Sequence, residues 1–380
     1  MSILIVDDNA TNQLIVKAIL NKAGYDDLRM ASSAMELYGL LGIGNDVDPE
    51  AQAELILMDL MMPEIDGLEA CRRILADERY RDVPIIFVTA VGDSAKMAEA
   101  LDAGASDYVM KPINKMELLA RIRSALRLKK EIDWHKERDK RIKYKLELAK
   151  QVQRNVLSQS IDDANVEITA IYQPSSELAG DFYAWYRIDQ TRYGVILLDI
   201  MGHGIASSLV CMYISSVLRD MITRISDPEQ VMTELNRYMK RLYMKDELLN
   251  YYFTAIYLVL DTSERTIEYV NAGHPPGIML QQDKAIRLTE GCCAIGLFDT
   301  IDIQKGKIAY DDSMKLILFT DGLLDALDNG ENEDDSSRIE RLLAEHSGDG
   351  VQRLCEALLP EQVGDSQRDD ICLVMITVKK

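Results

Sequence analysis

The chain has 380 residues, 47% of them hydrophobic, with 43 Lys and Arg against 63 Asp and Glu and a formal net charge of −20. That length suits two domains, each able to bury its own core, and the acidic balance argues against nonspecific nucleic-acid binding and against an anionic membrane surface. No apolar run approaches the ~20 residues of a spanning helix, and Met1-Ser2-Ile3-Leu4 leads straight into a strand with no signal peptide, so a cytoplasmic location is expected.

Six cysteines (71, 211, 292, 293, 355 and 372) include an adjacent pair but no CxxC spacing, and they are expected to be reduced and mostly buried. In the first third, Ile3-Leu4-Ile5-Val6 is a short apolar strand ending in Asp7-Asp8. Similar runs follow at Leu55 to Met58 before Asp59, Ile85 to Val88 before Thr89, and Tyr108 to Met110 before Lys111. Helical patterns lie between them, at Gln13 to Ala23 and Gly67 to Leu75. Strands alternating with helices imply a doubly wound parallel sheet, whose ligands bind outside the carboxyl ends of the strands. All these polar residues stand at such ends. Asp7, Asp8 and Asp59 offer hard oxygens suited to Mg²⁺, Lys111 a point charge for a phosphoryl oxygen, and Thr89 a hydroxyl donor. A carboxylate beside Mg²⁺ can act as a nucleophile toward a phosphoryl donor.

With Asp7-Asp8, Asp59, Met62-Pro63-Glu64-Ile65-Asp66-Gly67, Thr89-Ala90 and Lys111-Pro112, this region resembles the response-regulator receiver domain of two-component signalling. The resemblance implies a five-stranded sheet, Asp59 as phosphoacceptor, Mg²⁺ held by Asp7, Asp8 and Asp59, and Thr89 and Lys111 reading the phosphoryl group. It also implies Tyr108 as the aromatic switch residue, a cis Lys111-Pro112 bond, and a sensor histidine kinase or phosphotransfer protein as partner. The long acidic loop from Gly42 to Ala53 has no assigned role.

From about residue 126 to 160 the composition turns to Lys, Arg, Glu and long aliphatics without Pro or Gly. Ile142, Leu146, Ala149, Val152 and Val156 recur at three- and four-residue steps, an apolar seam on a continuous helix. Such a seam flanked by charge suggests a coiled coil joining two copies of the chain, or a lone helix packed on its own domain. Domains are therefore expected at 1–125 and 161–380, with the connector between.

The second domain reads as α+β with antiparallel strands in two packed sheets and helices outside. Strand-like runs occur at Val166 to Ile171, Gly194 to Asp199, Tyr252 to Leu258, Thr266 to Val270, Lys315 to Thr320 and Ile371 to Thr377, with helices at Ile205 to Arg224 and Pro228 to Tyr243. Glu177 and Asp181 flank Gly180; Asp199 ends one strand; Asp321 precedes Gly322 in what reads alone as a β-turn; Asp369-Asp370 lead into the last strand. Carboxylates at sheet edges beside glycines suit a pair of Mg²⁺ or Mn²⁺ ions with a central Asp between them, which would activate a shared water for in-line attack on a phosphate. Without a His/Cys cluster, zinc is not expected. His203 and His274, each in a glycine-flanked loop, suit acid/base work or a hydrogen bond that holds the loop. Acidic residues Asp325 to Asp335 read as a solvated loop, with a substrate contact as the alternative.

In order, Glu177-Leu178-Ala179-Gly180-Asp181-Phe182-Tyr183, Asp199-Ile200-Met201-Gly202-His203-Gly204, Asn271-Ala272-Gly273-His274-Pro275-Pro276, Thr320-Asp321-Gly322 and Asp369-Asp370 resemble the SpoIIE/RsbU-like branch of metal-dependent (2C-type) serine/threonine phosphatases. The resemblance implies Asp199 as the bridging ligand with the Ile200 carbonyl completing one metal, Asp321 and Asp369 as ligands of the second ion, and Asp181 holding a water of the metal shell. Asp370 is a further candidate ligand. No phosphate-clamping Arg is identified. The implied substrate is a phosphoserine or phosphothreonine on an anti-sigma-factor antagonist. A catalytically inactive adaptor for a sigma factor or its regulator is the alternative, but the carboxylates it would be expected to lose all stand. A DNA-binding output has no basic recognition helix.

Overall fold

A computed structural model describes residues 2–44, 53–90, 94–202, 204–222, 224–242, 251–281, 284–327, 335–346, 350–358 and 369–379. The chain divides into two compact units, Met1–Ile142 and Lys143–Lys380.

In the first unit the elements run β1 (Ser2–Val6), α1 (Ala10–Asn21), β2 (Leu28–Ala31), α2 (Ala34–Leu41), β3 (Ala53–Met58), α3 (Gly67–Ala76), β4 (Ile85–Thr89), α4 (Ser94–Asp102), β5 (Asp107–Met110) and α5 (Lys115–Val156). The five strands are parallel in the order β2-β1-β3-β4-β5. Both faces of the sheet are covered. Leu4, Val6, Ile56 and Met58 join one apolar cluster, while Ile3, Ile5, Leu55 and Leu57 join the other. Burial on both sides explains why these strands read as unbroken apolar runs without alternation. β2 escapes a sequence reading because it is an edge strand: only Ala31 of its four residues is buried. Side-chain caps start the helices, with Asn9 accepting from the Thr11 N–H and Asp66 from the Glu69 N–H. The Lys111-Pro112 peptide is cis. The loop expectation for Gly42 to Ala53 falls mostly on 45–52, outside the described residues.

α5 runs 42 residues without a break. It contains neither Gly nor Pro, so nothing in its sequence stops helix propagation at 125–126, where the composition shifts. Of the connector seam, Ile142 and Val152 are exposed, and Val156 packs against the apolar core of the second unit.

The second unit continues with β6 (Ile161–Asp162), β7 (Val166–Gln173), β8 (Phe182–Arg187), β9 (Arg192–Ile200), α6 (Ile205–Ile222), α7 (Pro228–Leu242), β10 (Phe253–Asp261), β11 (Thr266–Ala272), β12 (Gly277–Gln281), β13 (Lys284–Leu288), β14 (Gly291–Cys292), β15 (Gly306–Ala309), β16 (Met314–Phe319), α8 (Asp321–Leu327), α9 (Asp335–Glu345), α10 (Val351–Leu358) and β17 (Ile371–Val378). One sheet has the order β14-β11-β10-β9-β8, with β15 also on β11; the other is β13-β12-β16-β17-β7-β6. Inner residues of both sheets, among them Val195, Leu197, Ile256, Leu258, Leu316, Leu318, Val374 and Ile376, form the core between them. The outer face of the first sheet carries α6 and α7 over Ile196, Leu198 and Ile200. That of the second carries α8, α9 and α10 over Ile317, Phe319, Leu373 and Met375. The architecture is a helix-sheet-sheet-helix sandwich.

Three sequence expectations change. Although no stretch of the sequence reads as a spanning helix, the 18 residues of α6 reach a mean hydropathy of 1.4, enough by length and composition. Its inward residues Cys211, Ile214 and Leu218 are buried in the core over the first sheet, which accounts for the apolar composition. Asp321 and Gly322 open a helix rather than a β-turn. Asp325 lies in the same helix rather than in a loop, while 328–334 fall outside the described residues. Four of the cysteines are buried and Cys292 and Cys293 are partly so, all unpaired thiols.

Candidate functional site

Two acidic centres emerge, one in each unit. In the first, β1 delivers Asp7 and Asp8, β3 delivers Asp59, β4 ends in Thr89 and β5 leads to Lys111, all at carboxyl ends of parallel strands. Asp7, Asp8 and Asp59 can bring one oxygen each to within 4.8 Å of one another. Asp7 and Asp59 are buried and Asp8 is exposed, which leaves the trio one open side. Lys111 Nζ donates to Asp7 Oδ2 at 2.8 Å and to Asp59 Oδ2 at 2.5 Å. Burial works against its charge, but the hydrogen bonds to Asp59 and Asp7 outweigh that and hold its pKa above the usual lysine value. Asp7 is aimed by the Asn9 N–H and Asn12 Nδ2 on its Oδ1. Behind Asp59, a side chain at Gly67 would meet the Asp59 carbonyl oxygen at 2.4 Å, so glycine is required for that approach. Tyr108 is half-buried, with the Arg121 guanidinium 5.6 Å from its ring centre and also bonded to Asp107 and Glu117.

The second centre lies at one rim of the sandwich. Antiparallel pairing brings the carboxyl end of β9 beside the amino ends of β8 and β10, and the carboxyl ends of β16 and β7 beside the amino end of β17. Strand period then decides orientation. Asp199 shares parity with Val195 and Leu197, Asp181 with Tyr183, Thr320 with Leu318, and Asp370 with Cys372, all inner-core residues. The rim therefore collects polar side chains where the apolar inter-sheet core ends.

Asp181 is 2% exposed and its Oδ2 accepts from Thr320 Oγ1 at 2.8 Å. The same Thr320 oxygen accepts from the Cys372 N–H, tying the two sheets together at the acid. Burial first, then Asp199 and Asp370, push the Asp181 pKa well above the carboxylate range. Asp199 is raised to about 7 by burial and by Asp321 and Asp369, and it lies within hydrogen-bonding reach of Asp321. Asp369 is raised too, by burial and then by Asp321 and Asp370, with Asp325 adding to the repulsion. Asp370 has both oxygens engaged: Oδ1 by the Ser175 N–H and hydroxyl, Oδ2 by the Gly180 N–H. A side chain at Gly180 would meet the carbonyl oxygens of Ile200 and Gly202 at 2.9 Å, and one at Gly322 would meet the Asp370 carbonyl at 2.1 Å. These glycines let the acidic loops close on one another. Among the described residues no three acids of this second centre converge as tightly as Asp7, Asp8 and Asp59.

The donors are hard oxygens whose strongest electrostatic neighbours are other carboxylates, and a pair such as Asp199 and Asp321 needs a shared proton or a cation between them. The residues fit divalent ions of the Mg²⁺ or Mn²⁺ class in both centres.

His274 is buried behind this rim. Its Nδ1 is 2.8 Å from Thr254 Oγ1, and Thr254 is the cross-strand partner of Asp199. Its backbone N–H and C=O are both bonded to the Asn271 side chain. Burial lowers its pKa to about 3, so the ring is neutral and holds the loop. His203 lies outside the described residues, and Glu177 is exposed.

Residue types and spacing lead to the acids but not to Thr320, Ser175 and Gln153, which hold them. Thr320 could have been found from strand parity. Asp325 could have been found from its i,i+4 spacing to Asp321 once a helix is assumed. Gln153 has no local signal.

A family model described as the response regulator receiver domain matches residues 3–123, and one described as stage II sporulation protein E (SpoIIE) matches residues 189–379, half of the chain. The phosphoserine phosphatase RsbP of Bacillus subtilis (strain 168) is 36% identical over 242 residues, 62% of this chain and 58% of the relative. A chemotaxis protein CheY homolog of Campylobacter jejuni is 35% identical over 126 residues, 33% of this chain and 92% of its own. The SiaA-PP2C domain of Pseudomonas aeruginosa shares the fold with a TM-score of 0.53 at 21% identity, covering 62% of this chain and 97% of that one. The chain thus spans just over half the length of its RsbP relative. It belongs to the SpoIIE family, with a response-regulator receiver domain ahead of the family's PP2C-type phosphatase domain.

Proposed function

We propose that this chain is a response regulator whose output is a metal-dependent phosphoprotein phosphatase. The carrying observation is the rim at which Asp199 reaches Asp321 while Asp369 and Asp181 crowd the same point, an acidic cluster that either keeps protons or takes up cations. Asp199 and the Ile200 carbonyl would hold one divalent ion, with Asp199 shared to a second held by Asp321 and Asp369. Bound there, Mg²⁺ or Mn²⁺ would neutralise the phosphate, polarise its phosphorus and activate the attacking water. The chain's own groups orient and sequester. Thr320 directs its hydroxyl proton at Asp181 Oδ2 and so fixes the carboxylate's rotation. Asp370 latches the 175–180 loop. His274 stays neutral beneath Thr254.

In the receiver, Asp59 would accept the phosphoryl group from a sensor histidine kinase or phosphotransfer protein, with Mg²⁺ held by Asp7, Asp8 and Asp59. Thr89 and Lys111 would contact the new phosphate and Tyr108 would respond. The acyl phosphate would carry about −1.5 to −2 in place of the single charge of the Asp59 carboxylate, and Lys111, now bonded to Asp7 and Asp59, would turn to it. The substrate would be phosphoserine or phosphothreonine on an anti-sigma-factor antagonist, handled in the cytoplasm by a dimer joined through α5. Likeness to the phosphoserine phosphatase RsbP supports the substrate class.

The test is hydrolysis of an aryl phosphate by the purified chain with Mn²⁺, before and after phosphorylation by phosphoramidate, with Asp199→Asn and Asp59→Asn alongside. Metal-dependent turnover that Asp199→Asn lacks is expected, as is a phosphoramidate effect that Asp59→Asn lacks. No turnover at saturating metal, phosphorylated or not, would replace the phosphatase by a phosphorylation-dependent adaptor.

A further inference from the structure

We infer that Gln153, near the carboxyl end of α5, is a positioning residue that sets the place of the Gly180-Asp181 segment in the acidic centre; this rests on the phosphatase reading of that centre. Among the described residues Gln153 is the one buried polar side chain of α5, 3% exposed in a helix otherwise rich in solvated charge. Both ends of its amide are spent on a single residue: Nε2 donates to the Ala179 carbonyl at 2.7 Å and Oε1 accepts from the Ala179 N–H at 3.2 Å. This mimics a strand pairing and clamps one residue of the β7–β8 loop to the helix. The amide also reaches the Cys211 thiol on α6.

The two residues after Ala179 give the clamp its consequence. Gly180 donates to Asp370 Oδ2 at 2.8 Å and packs against the carbonyls of Ile200 and Gly202 without room for a methyl group. Asp181 has its carboxylate on Thr320, while its own carbonyl receives the Tyr172 hydroxyl and the Cys211 thiol. Three successive residues are thus held by three elements: Ala179 by α5, Gly180 by the residue before β17, and Asp181 by the residue after β16. Of these holders only α5 extends beyond the sandwich, as one helix from Lys115. A turn or slide of α5 at Gln153 cannot leave Ala179 where it is without breaking two buried hydrogen bonds, so it moves Gly180 and Asp181 and changes the crowding on the Ile200 carbonyl. Leaving both backbone groups of Ala179 unpaired would be costly, which makes the coupling stiff.

The experiment uses the full chain with Gln153→Met, which keeps length and burial but loses both hydrogen bonds, and Gln153→Glu, which keeps only the acceptor. Three readouts are taken: amide hydrogen exchange, Mn²⁺ binding by calorimetry, and kcat and KM on an aryl phosphate. Expected for Gln153→Met is faster exchange confined to 178–181, Mn²⁺ affinity in the second unit down by about tenfold or more, and a fall in kcat with KM nearly unchanged. Gln153→Glu should fall between Gln153→Met and wild type in all three. The inference is overturned if exchange at 178–181 and Mn²⁺ affinity stay within about twofold of wild type. It is equally overturned if exchange rises across β9, β10 and β17 as much as at 178–181, the mark of a merely structural role. If wild type lacks turnover, the phosphatase reading fails, while exchange and Mn²⁺ binding still decide the role of Gln153.

Discussion

Asp199 shows how much of the second centre's behaviour follows from one buried acid. Its pKa is raised to about 7, from an ordinary value near 4, by burial and by Asp321 and Asp369. A raised acid favours the folded state while it keeps its proton. Without metal, that contribution is whole below about pH 4 and is lost as the pH climbs through 7. The expected outcome is that metal-free wild type loses thermal stability between about pH 5 and 8 and that Asp199→Asn, lacking the charge, melts ~5 °C higher than wild type at pH 8. Mn²⁺ should raise the wild-type midpoint more at pH 8 than at pH 5, since the cation competes with the proton. Scanning calorimetry at several pH values decides it; a pH-independent difference between the two proteins would remove the electrostatic explanation. His274 slopes the other way. Its lowered pKa stabilises the fold above about 6.5 and that share is lost as the pH falls toward 3, a window that overlaps that of Asp199 with opposite sign, so Asp199→Asn, which keeps only the His274 slope, separates the two.

Among the elements, the 174–181 loop and the start of α8 matter most, because each is packed against backbone rather than against side chains that could give way. Gly180→Ala would drive a methyl group into the Ile200 and Gly202 carbonyls at 2.9 Å. Overpacking of that kind costs about 1–3 kcal/mol, and here it displaces a carbonyl proposed as a metal ligand. A folded Gly180→Ala protein with Mn²⁺ affinity reduced by about tenfold or more is expected from thermal unfolding and calorimetric titration. Wild-type affinity in this variant would mean the Ile200 carbonyl does not contribute. The strands themselves were legible where burial on both faces made long apolar runs, as in β9, β10, β16 and β17. The edge strands β2 and β13 were not, since only one residue of each is fully buried.

For the whole molecule, the proposed assembly turns on α5. Of its seam of Ile142, Leu146, Ala149, Val152 and Val156, Ile142 and Val152 are exposed at 42% and 56% and Leu146 and Ala149 are partly exposed. A second copy of the same helix is the proposed cover, with steps of roughly three and four residues forming the seam. The double variant Ile142→Glu, Val152→Glu should sediment as a folded monomer where wild type sediments as a dimer. A wild type that is monomeric at micromolar concentration, or a variant that stays dimeric, would rule out this seam. The two proposed signalling steps then lie on one chain: a phosphoryl group received by Asp59 and one removed at the Asp199 rim.

The order of motifs along the chain was enough to foresee a receiver followed by a PP2C-type domain, because the acids that meet a cation must sit at strand ends, and strand ends are visible as apolar runs that stop at a carboxylate. The run of α5 back to Lys115 was not foreseen, since the shift in composition at 125–126 reads as a boundary although no Gly or Pro interrupts the helix there. What only the tertiary structure decided is which groups hold those acids in place. Thr320 meets Asp181 across 139 positions of sequence, Asp370 meets Gly180 across 190, and Gln153 meets Ala179 across 26. Such pairings depend on how two sheets and a helix come together, and hydrophobic pattern, which sets strands and faces, carries no information about a hydrogen bond between residues so far apart.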